Sequence, residues 1–153
     1  MIEERIGDIF EQEDINVICH QVNCFHIMGA GIAGKIASKY PEALIQDKQT
    51  RRGDMNKLGT YSMAQGRDGK FIANVYGQYR YGRSERHTNY EALYRALESL
   101  EKDLSSESLN WTLGAPYKMG CNLGGGDWRI VKAIMESVFE HSPLKLFVMK
   151  FSD

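Results

Sequence analysis

The chain has 153 residues, a length suited to one domain that buries about two-thirds of the surface its unfolded chain exposes, with no metal or disulfide needed for a core. Hydrophobic content of 42% and charged content of 25% are ordinary globular values and give no sign of disorder. A formal net charge of −1 excludes a broad basic field, so an anionic ligand has to be held by local geometry.

In chain order, the first fourteen residues, MIEERIGDIFEQED, are acidic and lack an apolar stretch, which predicts no secretion leader. Ile15–Cys19 reads as a short, buried, β-branched strand. Cys19, His20, Cys24 and His26 follow closely, but strand alternation sends Cys19 and His20 to opposite faces, where one metal cannot easily take both. No metal or other cofactor is expected. With Cys121 the cysteines number three, an odd count without CxxC spacing, which points to a reducing compartment. No segment approaches the roughly 20 apolar residues of a membrane span, so a cytoplasmic protein without a membrane partner is expected.

Glycines then open a helix on which Ile32, Ala33, Ile36, Ala37 and Tyr40 recur at helical spacing. Pro41 ends it and starts another, to Gln49. Residues Gly59–Ala64 and Lys70–Tyr76 read as a hairpin around the turn Gly66–Gly69. Thr88 and Glu91 have capping-box spacing ahead of the stripe Tyr90, Leu93, Tyr94, Leu97, Leu100. Trp111–Ala115 is a further strand, Asp127 a cap for a helix striped by Trp128, Val131, Ile134, Met135 and Val138, and Leu144–Phe151 a closing strand. Strands alternating with helices predict a layered α/β fold with a largely parallel sheet.

Two loops carry the chemistry. Met28–Gly34 (MGAGIAG) lies between a strand and a helix, a context in which bare amides and the helix N-terminus can meet phosphate oxygens. It has GxGxxG spacing, but six residues separate the strand from the turn; as a Walker A loop it has Ile36 where Ser or Thr must ligate magnesium. The second loop, Lys118–Trp128 (KMGCNLGGGDW), has the same context, and its consecutive glycines make an ordered helix start costly unless a ligand or a close backbone contact offsets it. Either loop could instead be only a tight turn.

Gly7-Asp8-Ile9, Gln21-Val22-Asn23, Met28–Ala33 and the Gly120–Gly126 loop, in this order over nearly the whole chain, resemble the macrodomain signature. The MGAGIA loop, the segment TNYEAL at residues 88–93 and the GGGDW ending resemble the branch of terminal ADP-ribose glycohydrolases and ADP-ribose-1''-phosphate phosphatases. The resemblance implies one macrodomain over residues 1–153, three-layered α/β/α with a mixed, largely parallel sheet. It implies that Asp8 accepts from the adenine amino group with Ile9 beside it, and that Asn23 meets the distal ribose. Gly29, Ala30, Gly31, Ile32 and Ala33 would hold the diphosphate together with Gly120, Cys121, Asn122, Leu123, Gly124 and Gly125.

The chain departs from the lysine-dependent glycohydrolases of that branch: Gln78 stands at the lysine position and Gly124 at that of its acidic partner. His26 is then the candidate acid or base, between Asn23 and the first glycine loop, unless it only packs there. The stretch Tyr79, Arg80, Tyr81, Arg83, Arg86 could cover a ribose, bind a terminal phosphate or contact RNA, or be a solvated loop. The expected ligand is ADP-ribose or ADP-ribose-1''-phosphate, free or on a modified protein or nucleic acid. The expected reaction is hydrolysis at the distal ribose, against a reader that binds without turnover and, more distantly, a P-loop-like nucleotide enzyme.

Overall fold

The computed structural model describes residues 1–82 and 85–152; Arg83 of the aromatic-basic stretch lies outside the described residues. The strands are β1 (Ile2–Ile6), β2 (Val17–Val22), β3 (Tyr61–Gln65), β4 (Phe71–Tyr76), β5 (Thr112–Pro116) and β6 (Lys145–Lys150). They form one sheet in the order β1-β6-β5-β2-β4-β3. Every neighbouring pair is parallel except β3 with β4, the predicted hairpin. The helices are α1 (Gly31–Lys39), α2 (Pro41–Lys48), α3 (Tyr90–Ser105) and α4 (Trp128–Phe139).

Alternation along β2 builds the layers. Val17 and Cys19 join a core cluster with Leu93, Leu97 and Leu100 of α3 and Val131, Met135 and Phe139 of α4. Ile18, from the opposite face, packs with Ile36 of α1 and Ala43 of α2. A period of two in the strand thus assigns each residue to one helical layer, and the sheet is covered on both faces, as parallel sheets require. No helix among the described residues is long and apolar enough to cross a membrane.

Three local expectations are corrected. β1 went unread because IEERI is charged at three of its five positions and leaves Glu3, Glu4 and Ile6 exposed; it is an edge strand, anchored where the Met1 amine donates to the Phe139, Ser142 and Leu144 carbonyls. β2 runs to Val22 because His20 and Gln21, polar by sequence, are buried. The cap of α3 is Asn89, whose side chain accepts from the Ala92 amide at 3.0 Å; Thr88 is committed elsewhere. Asp127 does cap α4, accepting from the Arg129 amide at 2.9 Å.

His20 shows what burying polarity costs. It is fully buried, its Nε2 donates to Asn74 Oδ1 at 2.7 Å, and Nδ1 has no partner. Burial outweighs the Asn74 hydrogen bond and pushes its pKa down from 6.5 to about 4. The unfolded chain therefore binds the extra proton first, and stability is complete above about pH 6.5 and lost as the pH falls toward 4, by roughly 3 kcal/mol. Thermal unfolding followed across that window is expected to show this decline, and His20→Gln to remove that part of it; an undiminished decline in the variant would assign it to other groups.

Candidate ligand-binding site

β2 is the point where the chain reverses its direction of travel across the sheet: after β2 it crosses to β3 and β4 on one side, and after β4 it returns to β5 on the other. The loops leaving the carboxyl ends of β2, β4 and β5 meet over this switch point, where open α/β sheets form their ligand crevice. A cavity of about 340 Å³ lies there, within the size range of small-molecule sites.

Both glycine loops line it. The first contributes Gly29, Ala30, Gly31, Ile32 and Ala33; the second contributes Gly120, Asn122, Leu123 and Gly124. A Cβ at Gly29 or Gly31 would meet nothing within 4 Å, whereas one at Gly34 would sit 3.2 Å from the Gly29 carbonyl. The first two glycines thus keep space open and the third lets α1 pack against its own loop. No side chain caps α1 at Ala30, so its first-turn amides, which have no intrahelical acceptor, face the cavity uncapped. Gly31 adopts φ 59, a conformation costly for any residue with a Cβ.

The second loop is held from outside. The His87 and Thr88 amides donate to the Gly124 carbonyl at 2.8 and 3.0 Å, and Thr88 Oγ1 donates to the Gly120 carbonyl at 2.6 Å. Thr88 in turn accepts from Gln21 Nε2 at 2.9 Å; the same amide donates to Gln78 Oε1 at 2.7 Å, and Gln78 Nε2 to the Arg80 carbonyl at 2.7 Å. One directed chain of donors therefore ties the three loops together across the cavity floor. Gln21 Oε1, buried and without a partner, is its spare acceptor. A Cβ at Gly124 would fall 2.6 Å from both the Gly120 carbonyl and Thr88 Oγ1, which is why this position holds glycine.

Asn23 lines the cavity and is 6% exposed. Its Nδ2 donates to the Ile27 carbonyl at 2.8 Å and its Oδ1 accepts from the Phe25 amide at 2.9 Å, so the side chain is fixed while one N–H and one lone pair stay uncommitted. His26 is not among the lining residues. Its backbone turns through φ 63, and its Nε2 pairs with Thr50 Oγ1 at 3.2 Å; this placement gives no support to a base at the cavity. His26→Ala is expected to leave ligand affinity, and any turnover, within about twofold, with a modest loss of melting temperature; a turnover loss tenfold or greater at unchanged affinity would restore it to the chemistry.

Asp8 and Ile9 do not line the cavity either. Asp8 Oδ1 accepts from the Phe10 amide at 2.9 Å, and Ile9 is 6% exposed in the α1–α2 core layer. Of the second loop, Cys121 and Gly125 stand outside the lining. The Cys121 thiol is pushed up to about 11, chiefly by burial and then by Asp127, and Gly125 carries the turn at φ 69 beside the Arg86 backbone. Sequence reasoning missed Thr88 as a tie and Tyr117 as a lining residue, and placed Lys118 in the second loop without giving it a role. Lys118, held at φ 60, carries the one formal positive charge among the described lining residues. Cys19, His20, Cys24 and His26 do not converge: Cys19 and His20 face opposite layers, and no group of three or more such side chains among the described residues is placed to hold a metal.

Fold and crevice define a three-layered macrodomain, and the chain belongs to the Macro domain family, whose profile matches residues 19–135. It is 34% identical, over 78% of its length and 77% of the relative, to an uncharacterized 17.5 kDa protein from the tk-vs intergenic region of Enterobacteria phage T4. It is 31% identical to the Bos taurus ADP-ribose glycohydrolase OARD1, over 93% of this chain and 86% of that one. Among solved structures, the macrodomain of Mycobacterium tuberculosis DarG superposes with a TM-score of 0.79 at 23% identity, each chain covered to 99%.

Proposed function

We propose that this chain binds ADP-ribose with the diphosphate between its two glycine loops and hydrolyses a bond at the distal ribose. The observation that carries the reading is the convergence of both loops on one cavity, with open space at Gly29 and Gly31 and uncapped α1 amides beside it. Backbone N–H groups from two directions suit a diphosphate, and Lys118 adds charge where the field of the whole protein adds none. Asn23, rigidly held with one donor and one acceptor site free, suits ribose hydroxyls. Asp8, whose Oδ2 has no partner among the described residues, suits the adenine amino group. The glycohydrolase name of the bovine relative supports the hydrolytic half.

Gln78 lines the cavity where lysine-dependent enzymes of the branch would carry their nucleophile, and an amide cannot attack the ribose. Attack by water is then the remaining route, with a ribose-linked phosphate or the modified group leaving. A second reading, a binding module without turnover, is favoured by one observation: none of the described lining residues is a carboxylate, histidine or cysteine. Calorimetry with ADP-ribose, with and without magnesium, tests the binding half; magnesium-independent binding is the expected result, and binding of ATP but not ADP-ribose would overturn it. Turnover of ADP-ribose-1''-phosphate and of ADP-ribosylated protein and nucleic acid separates hydrolase from reader.

A further inference from the structure

Beside the cavity, outside the residues expected to hold its ligand, three segments are stitched into one platform. The Cys24 amide donates to the Tyr79 carbonyl at 3.0 Å, the Gly53 amide to the Cys24 carbonyl at 2.7 Å, and Tyr79 Oη to the Gly53 carbonyl at 2.8 Å. Phe25 sits at the centre, edge-on to Tyr79 at 4.9 Å and to Tyr81 at 6.3 Å between ring centroids. The guanidinium groups of Arg52 and Arg80 lie over this same ring, 5.4 and 5.8 Å from its centroid. Arg51 and Arg52 are exposed, as is Arg80, and none of the three forms an ion pair with another described residue. Tyr81 is 52% exposed and also lines the cavity, so the platform runs to the cavity mouth.

From this arrangement we infer that the Phe25–Arg52–Arg80–Tyr81 platform is a binding site for single-stranded nucleic acid. Unpaired guanidiniums gathered about one ring, on a chain of net charge −1, form a local anion site that the global charge does not explain. A phosphodiester strand supplies a repeating anion, and its bases supply flat faces for Tyr81 and the arginine planes. An acidic peptide or a lipid headgroup matches the charge but leaves the exposed ring without a partner. A duplex keeps its base faces stacked internally and cannot offer them. Tyr81 is shared with the cavity mouth, but Phe25, Arg52 and Arg80 do not line it, so substitutions at the two arginines test the platform without altering the cavity lining.

The test is fluorescence anisotropy with a labelled, unmodified oligothymidylate of about twelve nucleotides, a length within the span of known single-strand platforms. Wild-type protein is expected to bind it, and more weakly its duplex, with affinity falling as salt rises. Arg52→Ala/Arg80→Ala is expected to lose about tenfold or more and to reduce the slope of log affinity against log salt by roughly 1.4, the value for two lost phosphate contacts on a single strand. Arg52→Lys/Arg80→Lys, which keeps the charge but not the planar group, is expected to fall between the two. Calorimetry with ADP-ribose on both double variants is expected to match the wild type, which separates this site from the cavity reading. No binding at about 50 mM salt, equal binding by wild type and the alanine variant, or competition by polyglutamate or phosphatidylserine vesicles as effective as by unlabelled strand would each overturn the assignment. If the alanine variant also lost ADP-ribose, the lysine variant would decide: wild-type strand affinity and salt slope there would leave only a point-charge site and sink the proposal.

Discussion

Gly31→Glu is expected to abolish ADP-ribose binding while the chain still folds. The position lines the cavity, and a Cβ built there meets nothing within 4 Å, so the new side chain has room to extend into the space assigned to the diphosphate. A carboxylate near two phosphate charges costs about 4 kcal/mol per close pair at the effective dielectric of such sites, an affinity loss on the order of 1,000-fold for even one pair. The backbone adds its own term, since φ 59 costs a residue with a Cβ roughly 1–2 kcal/mol. That strain is expected to lower the melting temperature by only a few degrees in a chain of this size. Two companions separate strain from charge. Gly31→Ala carries the strain alone and is expected to bind more weakly by much less than the glutamate. Gly29→Glu carries the charge at a position with open space and no left-handed φ, and is expected to lose binding without the thermal cost. Calorimetry and thermal unfolding on the three variants read both quantities, and wild-type affinity in Gly31→Glu would remove the first loop from the phosphate site.

The same contrast between space and conformation explains which parts of this site were legible beforehand. Gly29, Gly31, Gly120 and the Gly124–Gly126 run announce themselves because side chains are absent there, where the chain passes from strand to helix. Helices α3 and α4 were readable from their stripes, since Leu93, Leu97, Leu100, Val131 and Met135 are all buried as their spacing requires. Buried polarity was not. His20, Gln21, Asn74 and Thr88 are each buried, and their reasons lie in partners 32 to 67 residues away along the chain, a separation no local pattern encodes. Thr88 shows the cost: next to a helix start it has the chemistry of a cap, but its hydroxyl bridges Gln21 and the Gly120 carbonyl, and Asn89 caps instead. His26 shows sequence proximity and spatial placement parting in the other direction. Its position between Asn23 and the glycine loop placed it near the ribose in sequence, while a single left-handed residue turns the ring toward Thr50.

Installing a lysine at position 78 and an acid at position 124, the pair that the resemblance to lysine-dependent glycohydrolases would call for, is expected to dismantle this site rather than convert it. The acidic partner would fall at Gly124, where even a methyl group would sit 2.6 Å from the Gly120 carbonyl and from Thr88 Oγ1. The carbonyl is backbone in a loop fixed by the Gly126 amide at 2.9 Å, and the hydroxyl is itself committed to that carbonyl, so neither neighbour gives way cheaply. Gly124→Ala is therefore expected to destabilise by about 1–3 kcal/mol, the usual cost of overpacking, and to release the His87 and Thr88 amides that hold the Gly124 carbonyl. With the clamp open, the second loop no longer faces the first across the cavity, and ADP-ribose affinity falls with stability. Gly124→Asp adds a charge to that displacement. Gln78→Lys by itself breaks only the links to Gln21 and the Arg80 carbonyl and is expected to bind ADP-ribose, whereas Gln78→Lys/Gly124→Asp is expected to lose both binding and turnover. Thermal unfolding, calorimetry and a turnover assay on the alanine variant and the two charge-bearing ones distinguish steric from electrostatic loss. A Gly124→Ala protein with wild-type melting temperature and affinity would mean that the loop is free to yield, and that glycine here reflects no packing demand.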